Sequence, residues 1–375
     1  MPANVIDLCS KLVRIPSVNP DGDPGTTQTG EARCAEFVAG FLEACGADAL
    51  LEEVEPGRPN VIGRFPTDRE GKPKVLFSPH TDTVGVGGMT IDPFGGEVRD
   101  GKLWGRGSSD TKGPMASMLW ALHEMGDEVA RLPVEVHFVG FMSEESSQLG
   151  SRHFAQRHPG YALALIGEPT SLKTVHKHKG CLWADVTTTG VSAHGAVPEL
   201  GVNAITKMAA LIGALDTEFR ELLVEVGGVD DLLNSSTINL GMINGGTRSN
   251  IVPDRCTLRV DIRTTPHLHE QGGALALLTD FVRRHDAEAK VTVFSDAPPL
   301  NTPGDHALVQ KLVACGATLD GAPWFCDAAF LAQAGIPAIA IGPGSISQAH
   351  TKDEWIKTAD LEAGVTFFQT WLRSL

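Results

Sequence analysis

Five short motifs along the chain carry acidic and imidazole side chains that could together bind metal ions. They contain His80 and Asp82 in H-T-D-T-V, Asp110 in W-G-R-G-S-S-D-T-K-G, Glu144 and Glu145 in S-E-E-S, Glu168 in G-E-P-T, and His350 in G-P-G-S-I-S-Q-A-H-T. Carboxylates packed together repel one another unless protons or cations neutralise them. Imidazole nitrogens and carboxylate oxygens form a ligand set that suits zinc, cobalt or manganese. The set is large enough for two divalent ions.

Each residue also has an ordinary structural interpretation when it is considered alone. Asp110 precedes a predicted helix and could be its N-cap, and Asp82 could close an Asx turn. Paired glutamates at the end of a strand are typical of a solvated rim, and an isolated histidine is often a hydrogen-bonded core residue. All these interpretations would have to hold together at one edge of one sheet. We therefore favour the metal site.

Four short apolar runs bounded by glycine or proline predict the strands that carry these residues. The runs are 75–77, 134–141, 162–166 and 337–341, and they alternate with helical patterns at 31–45, 111–125 and 304–316. This alternation predicts an α/β domain with a mostly parallel sheet flanked by helices. Both histidines and all three glutamates follow these runs, and open α/β sheets bind ligands at the carboxyl ends of their strands.

The pattern changes between residues 179 and 293. Strands are predicted at 180–189, 236–243, 256–264 and 290–295, with helices at 201–225 and 268–285. This β-α-β-β-α-β order predicts a separate α+β, ferredoxin-like sandwich. The sequence therefore predicts a catalytic domain of residues 1–178 and 294–375, interrupted by an inserted domain of residues 179–293.

Composition excludes several classes of function. The 375 residues include 46 acidic and 31 basic side chains, for a net charge of -15, so binding to nucleic acid or to an anionic membrane surface is not expected. No apolar run approaches the roughly 18 residues of a membrane span, and no export signal is visible. The seven cysteines form no Cys-x-x-Cys pair, which argues against disulfides or a thiolate zinc site. We expect a cytoplasmic protein.

The residue types also suggest a division of roles. Two ions a few ångströms apart need a shared ligand, and Asp110, on a glycine-rich turn, is the best candidate for that bridge. Of the adjacent Glu144 and Glu145, one can bind metal while the other remains free as a general base. Asp82, two residues beyond His80, could hold the imidazole through its second nitrogen or tune the site from behind.

The five motifs, in this order, resemble those of the dinuclear-zinc deacylases, which include acetylornithine deacetylase, succinyl-diaminopimelate desuccinylase, aminoacylase and the glutamate-releasing carboxypeptidase. The resemblance extends over nearly the whole chain and implies amide hydrolysis by two divalent ions, zinc first and cobalt or manganese as alternatives. It also implies a cis peptide bond between Asp110 and Thr111. The implied roles are His80 and Glu168 on one ion, Glu145 and His350 on the other, Asp110 as the bridge, Glu144 as the general base, and Asp82 behind the first histidine.

The inserted domain resembles the lid of these enzymes, which is also their usual dimerisation domain, so a homodimer is expected. His194 in G-V-S-A-H-G-A-V-P would reach the partner subunit's site and stabilise the oxyanion, although a solvated loop histidine is the alternative. Asn250 and Arg248 in G-G-T-R-S-N-I-V-P would approach the substrate. Arg263 in V-D-I-R would receive a substrate carboxylate, with an ordinary surface-strand arginine as the alternative.

The substrate is less well defined by these motifs. Segments around His194 and His350 are most similar to acetylornithine deacetylase, so a small N-acyl-amino acid is the first expectation. Desuccinylation of diaminopimelate, general aminoacylase activity and hydrolysis of dipeptides or carboxy-terminal residues are alternatives, and a catalytically silent metal-binding homologue is another. The intact Glu144 argues against a catalytically silent homologue, which would not need a general base. The absence of G-x-S-x-G argues against a serine hydrolase, and the absence of a phosphate-loop motif argues against a nucleotide-binding protein. The family has a short glycine-containing turn after the glutamate pair, but this chain has residues 146–150 there. The resemblance therefore does not define the shape of the pocket beside the pair, or the substrate.

Overall fold

A computed structural model describes residues 1–375 and divides into two compact units. The first unit comprises residues 1–176, 302–320 and 326–375, and the second comprises residues 177–301 and 321–325. The second unit is thus largely a single insertion in the chain of the first. No helix in the structure is long and apolar enough to cross a lipid bilayer.

Strands and helices alternate through much of the chain. The strands are β1 (Asp48–Glu55), β2 (Arg58–Arg64), β3 (Lys74–Ser78), β4 (Glu97–Arg99), β5 (Lys102–Trp104), β6 (Glu135–Gly140), β7 (Tyr161–Ile166), β8 (Thr174–His178), β9 (Gly180–Thr189), β10 (Thr237–Gly245), β11 (Arg255–Thr264), β12 (Lys290–Ala297), β13 (Leu300–Asn301), β14 (Leu319–Ala322), β15 (Ala338–Ala340) and β16 (Trp355–Lys357). The α-helices are α1 (Val5–Val13), α2 (Ala32–Ala44), α3 (Lys112–Met125), α4 (Glu128–Arg131), α5 (Leu149–Arg157), α6 (Ala204–Ala214), α7 (Arg220–Gly227), α8 (Pro266–Glu270), α9 (Gly273–His285), α10 (Ala307–Ala314), α11 (Ala328–Gln333) and α12 (Thr358–Ser374).

The main sheet of the first unit has the strand order β1-β2-β6-β3-β7-β15-β8. Strands β6, β3, β7 and β15 are parallel to one another, whereas the β1–β2, β2–β6 and β15–β8 pairs are antiparallel. The predicted mostly parallel α/β sheet is therefore confirmed, with antiparallel strands added at both edges. The parallel strands are buried on both faces, which explains their continuous apolar sequences.

Helix α3 is the centre of the helical layer that supports the site. Every residue from Lys112 to Leu122 is buried, because α1 and α12 pack against α3. Phe77 of β3 meets the edges of Phe368 and Trp371 of α12, with ring centroids 5.4 and 6.0 Å away. Helix α3 is thus enclosed by α1 and α12.

The second unit contains a four-stranded antiparallel sheet in the order β10-β11-β9-β12. Alternate residues of β11, including Leu258, Val260 and Ile262, are buried in a core shared with α6, α7 and α9. This β-α-β-β-α-β arrangement confirms the predicted ferredoxin-like sandwich. The predicted helix 201–225 is two helices joined by a π-helical turn at Leu215–Phe219.

Candidate metal centre

Four adjacent parallel strands carry the predicted ligands to one edge of the main sheet. His80 follows β3, the glutamate pair follows β6, Glu168 follows β7, and His350 lies in the loop after β15. Neighbouring parallel strands end at the same edge of a sheet, so residues far apart in the sequence come together there. Asp110 reaches the same place from the turn that leads into α3.

The structure forms two candidate metal-binding groups that share Asp110. One group is His80, Asp110 and Glu168, and the other is Asp110, Glu145 and His350; within each group the ligand atoms lie within 4.8 Å of one another. Asp110 Oδ1 is 3.0 Å from His80 Nε2, and Asp110 Oδ2 is 3.5 Å from His350 Nε2. His350 Nε2 is also 3.0 Å from Glu145 Oε2. The two oxygens of one aspartate therefore face two different imidazoles, as a bridging ligand requires.

The chemistry of these groups fits divalent ions. The Oε1 atom of Glu168 is buried and has no hydrogen-bond partner, which is unfavourable for a carboxylate oxygen unless a proton or a bound cation neutralises it. Each group offers one imidazole nitrogen and carboxylate oxygens, and neither contains a cysteine. Such a ligand set suits zinc, cobalt or manganese.

The crowding of carboxylates shifts the protonation of the ligands. Burial raises the pKa of Glu168 well above its usual range, and the charge of Asp110 raises it further. Burial and Asp110 likewise raise the pKa of Glu145 to about 7. Hydrogen bonds to Asp110 and Glu145 raise the pKa of His350 to about 10. Protons on Glu168, Glu145 and His350 thus reduce the negative charge of this cluster, and a divalent ion can take their place.

Asp82 holds the loops after β3 and β6 together. Its Oδ1 accepts a hydrogen bond from the backbone N–H of Glu144 at 3.0 Å, and its Oδ2 accepts from the backbone N–H of Glu145 at 3.1 Å and from Asn19 Nδ2 at 2.8 Å. His80 Nδ1 lies 3.0 Å from the Asp82 carbonyl oxygen and 3.4 Å from its carboxylate. Asp82 therefore orients the imidazole and also fixes the glutamate pair. Asn19, which no motif in the sequence marks, also belongs to this network.

Glu144 lies beside the ligands but belongs to neither metal-binding group. Burial raises its pKa well above the usual range, and the nearby charges of Glu168 and Asp327 raise it further. Asp327 was also not predicted as a site residue. Its Oδ1 accepts a hydrogen bond from Ser151 Oγ, its Oδ2 is buried without a partner, and burial raises its pKa to about 7. This second buried carboxyl makes the surroundings of Glu144 more negative.

A cluster of serine hydroxyls closes the unusual turn after the glutamate pair. Ser143 Oγ lies 2.9 Å from both Ser146 Oγ and Ser147 Oγ. Gln148 adopts a left-handed conformation with φ of 52°, and its side-chain amide donates to the carbonyl oxygen of Glu144. Polar side chains thus form this turn where a glycine would otherwise allow it.

The turn that presents Asp110 depends on its glycines. Gly107 has a φ of 81°, and a Cβ atom there would lie 2.7 Å from Thr83 Cγ2. The peptide bond between Asp110 and Thr111 is cis, as the resemblance implied. Asp110 is not an N-cap, because α3 begins at Lys112 with Thr111 in the capping position.

In the second unit, His194 and the 245–250 segment are neighbours. The backbone N–H of Gly195 donates to the carbonyl oxygen of Asn250 at 2.8 Å, and His194 forms a single β-bridge with Ile251. Arg248 lines an adjoining cavity of about 570 Å³. The structure therefore brings His194, which the resemblance assigns to the oxyanion, and Arg248 and Asn250, which it assigns to the substrate, into one group of loops.

Arg263 lies at the other end of the same sheet. On β11 it pairs with Thr237 of β10, whereas Cys256 pairs with Gly245, so seven residues of strand separate the two ends. At about 3.3 Å per residue this separation is roughly 23 Å. The guanidinium of Arg263 forms a two-point ion pair with Asp261, with Nε–Oδ1 at 2.9 Å and Nη2–Oδ2 at 3.0 Å.

Comparison with known proteins agrees with this architecture. The model of peptidase family M20/M25/M40 matches residues 76–374. Acetylornithine deacetylase from Proteus mirabilis is 33% identical over 377 residues, which covers 95% of this chain and 93% of that protein. The enzyme of the same name from Klebsiella pneumoniae is 33% identical over 368 residues, with coverage of 94% and 93%.

Solved structures share the fold over the full length. The crystal structure of an aminopeptidase from Bacillus cereus has a TM-score of 0.79 at 22% identity and covers 99% of this chain and 98% of its own. A metallo-carboxypeptidase from Sulfolobus solfataricus has a TM-score of 0.77 at 18% identity, with coverage of 100% and 99%. The resemblance inferred from the motifs is confirmed, and the chain belongs to the M20/M25/M40 peptidase family of metallohydrolases.

Proposed function

We propose that the protein is a dinuclear metallohydrolase that removes the acyl group from N-acyl-amino acids, with N-acetylornithine as the first substrate to test. One observation carries the dinuclear mechanism: two candidate ligand groups share Asp110, while Glu144 stands beside them in neither group. The 33% identity to enzymes named acetylornithine deacetylase supports the choice of substrate.

In this proposal the two groups are the two metal sites. His80 and Glu168 would hold one ion, Glu145 and His350 would hold the other, and Asp110 would be shared between them. Divalent ions such as zinc would supply Lewis-acid chemistry at these residues, that is, polarisation of the acyl carbonyl and a lowered pKa for a bound water molecule. The buried, partnerless oxygen of Glu168 supports this assignment.

Glu144 acts as the proton carrier. Its carboxylate takes the proton from the attacking water and later delivers that proton to the leaving amine. Burial and neighbouring acids raise the pKa of Glu144 in the metal-free site, and two divalent ions beside it would lower that pKa toward the range of a working general base. Asp82 keeps Glu144 in place through the backbone N–H bond at 3.0 Å.

Substrate recognition and oxyanion stabilisation are assigned to the second unit. His194 stabilises the oxyanion, and Asn250, Arg248 and Arg263 contact the substrate, with Arg263 receiving its carboxylate. The separation of roughly 23 Å between the two ends of the sheet exceeds the length of a small N-acyl-amino acid. The position of Arg263 at the opposite end of the sheet from the His194 and Asn250 loops supports a pocket to which His194 and Asn250 of one protomer and Arg263 of another contribute. We therefore propose a homodimer that forms through this unit. The cytoplasmic location is a separate prediction.

The ion pair between Arg263 and Asp261 bears on this assignment. A guanidinium has five N–H donors, and this pair uses two of them. Arg263 can therefore bind a substrate carboxylate with its remaining donors while Asp261 keeps it oriented.

A hydrolysis panel with controlled metal content tests the proposal. The chelated protein is reloaded with zinc, cobalt or manganese and assayed on N-acetylornithine, other N-acetyl-amino acids, N-succinyl-diaminopimelate and dipeptides. We expect chelation to abolish the release of acetate from N-acetylornithine and metal to restore it. Preference for a succinyl substrate or for dipeptides would replace the proposed substrate, and no turnover by metal-replete protein on any compound would reject the enzymatic proposal.

A further inference from the structure

A fully buried glutamate, Glu354, holds the turn that presents Asp110. Its Oε1 accepts hydrogen bonds from the backbone N–H groups of Ser109 at 2.8 Å and Asp110 at 2.9 Å. Its Oε2 accepts from the backbone N–H of Gly107 and from Arg106 Nη1, both at 2.9 Å. The side chain has no exposed surface.

All these partners are hydrogen-bond donors, so the geometry requires an acceptor on both side-chain oxygens. A carboxylate has enough lone pairs for all of them, whereas a glutamine would turn an NH₂ group toward at least one pair of donors. Three of the donors are backbone N–H groups of Gly107, Ser109 and Asp110. Because these three donors belong to the main chain, substitution of side chains within the turn would leave them in place, and they would still need the acceptor oxygens of Glu354.

Glu354 also lies only four residues after His350, the most exposed of the predicted ligands. The His350 side chain is 58% exposed, and its backbone has a φ of 59°, an uncommon conformation for a residue other than glycine. The segment from His350 to Glu354 therefore carries a ligand of one group and also forms a hydrogen bond with the backbone of Asp110, the ligand that both groups share.

We propose that Glu354 is a positioning residue that fixes the Asp110 carboxylate relative to His350 and thereby sets the geometry of the two-metal site. The inference rests on the proposed dinuclear centre. It assigns to Glu354 no contact with substrate or metal, and its effect passes through Asp110.

The neighbouring residue provides a matched control. The carboxylate of Asp353 also clamps a loop, since it accepts hydrogen bonds from the backbone N–H groups of Thr90 at 2.8 Å and Ile91 at 3.3 Å and from the Thr90 hydroxyl. That loop contains none of the predicted ligands. Asp353→Asn therefore weakens a loop anchor one residue away without touching the backbone of Asp110.

The experiment compares full-length wild type, Glu354→Gln, Glu354→Asp and Asp353→Asn. Each protein is loaded with cobalt, and the visible absorption spectrum, the bound cobalt after dialysis, kcat, KM and the far-ultraviolet circular dichroism of the metal-free form are measured. For Glu354→Gln we expect an altered cobalt spectrum, weaker retention of cobalt and a kcat reduced about 10- to 100-fold with little change in KM. Glu354→Asp should show smaller losses of the same kind, and Asp353→Asn should match wild type.

Several outcomes would overturn the inference. They are a wild-type cobalt spectrum and kcat in Glu354→Gln, equal losses in Asp353→Asn, or unfolding of both Glu354 variants, which would show a role in fold stability alone. The proposed function fails separately, if the wild-type protein itself retains fewer than two ions. Two ions in the wild type and an unchanged Glu354→Gln would reject only the positioning role.

Discussion

Replacement of Glu144 by glutamine separates proton transfer from metal binding. The amide has nearly the same shape as the carboxyl group but cannot accept a proton from water. General acid–base catalysis by a positioned side chain contributes about 10²- to 10⁴-fold, which corresponds to about 2.7–5.4 kcal/mol of transition-state free energy. We therefore expect kcat for N-acetylornithine to fall by about that factor.

The structure also predicts what Glu144→Gln leaves intact. Glu144 belongs to neither metal-binding group, and its link to Asp82 runs through its backbone N–H, which the substitution preserves. Both metal ions should therefore remain bound. Because burial raises the pKa of Glu144, its charged form is unfavourable there, and a neutral amide should not lower the melting temperature of the metal-free protein.

The assay measures acetate release, metal content by mass spectrometry and thermal unfolding for Glu144→Gln and for its neighbour variant Glu145→Gln. Glu145 lies in the group with Asp110 and His350, so its variant should bind less metal as well as lose activity. The reasoning is refuted if metal-replete Glu144→Gln keeps more than a tenth of the wild-type kcat, or if Glu144→Gln loses metal as Glu145→Gln does.

Three further predictions concern other parts of the site. Asp82→Asn turns an amide NH₂ toward N–H donors and should weaken metal affinity or activity about 10- to 100-fold, measured by competition with a chelator. The pKa values of His350 and Glu145 are raised to about 10 and about 7, so a metal ion must displace protons from these ligands. The affinity for metal should therefore rise from pH 6 to pH 8. Calorimetry in two buffers should detect the released protons. His194→Ala should lower kcat without loss of metal, and mixing it with a Glu144 variant should restore activity if protomers share sites, whereas no recovery would indicate separate sites.

The residues that follow parallel strands could be predicted from the sequence for a physical reason. Strands such as β3 and β7 are buried on both faces, so they appear as uninterrupted apolar runs between helical patterns. The end of each run marks the sheet edge where ligands bind. The sequence alone therefore places His80 and Glu168 at one edge of the sheet.

Other parts carry no such local signal. Strand β4 is only three residues long and exposed along its whole length, so no apolar run marks it in the sequence. Asn19 forms a hydrogen bond with Asp82, which lies 63 positions away in the sequence, and Glu354 forms one with the backbone of Asp110, which lies 244 positions away. Only tertiary structure reveals such partners, because a single polar residue in a loop has no periodicity.

The central claim is that each chain binds two divalent ions that share Asp110. A crystal of zinc- or cobalt-loaded protein, with data collected at the absorption edge of the metal, tests it most directly. We expect two anomalous peaks per chain, one between His80 and Glu168 and one between Glu145 and His350, with an oxygen of Asp110 on each. One peak, no peak, or peaks away from these side chains would contradict the account.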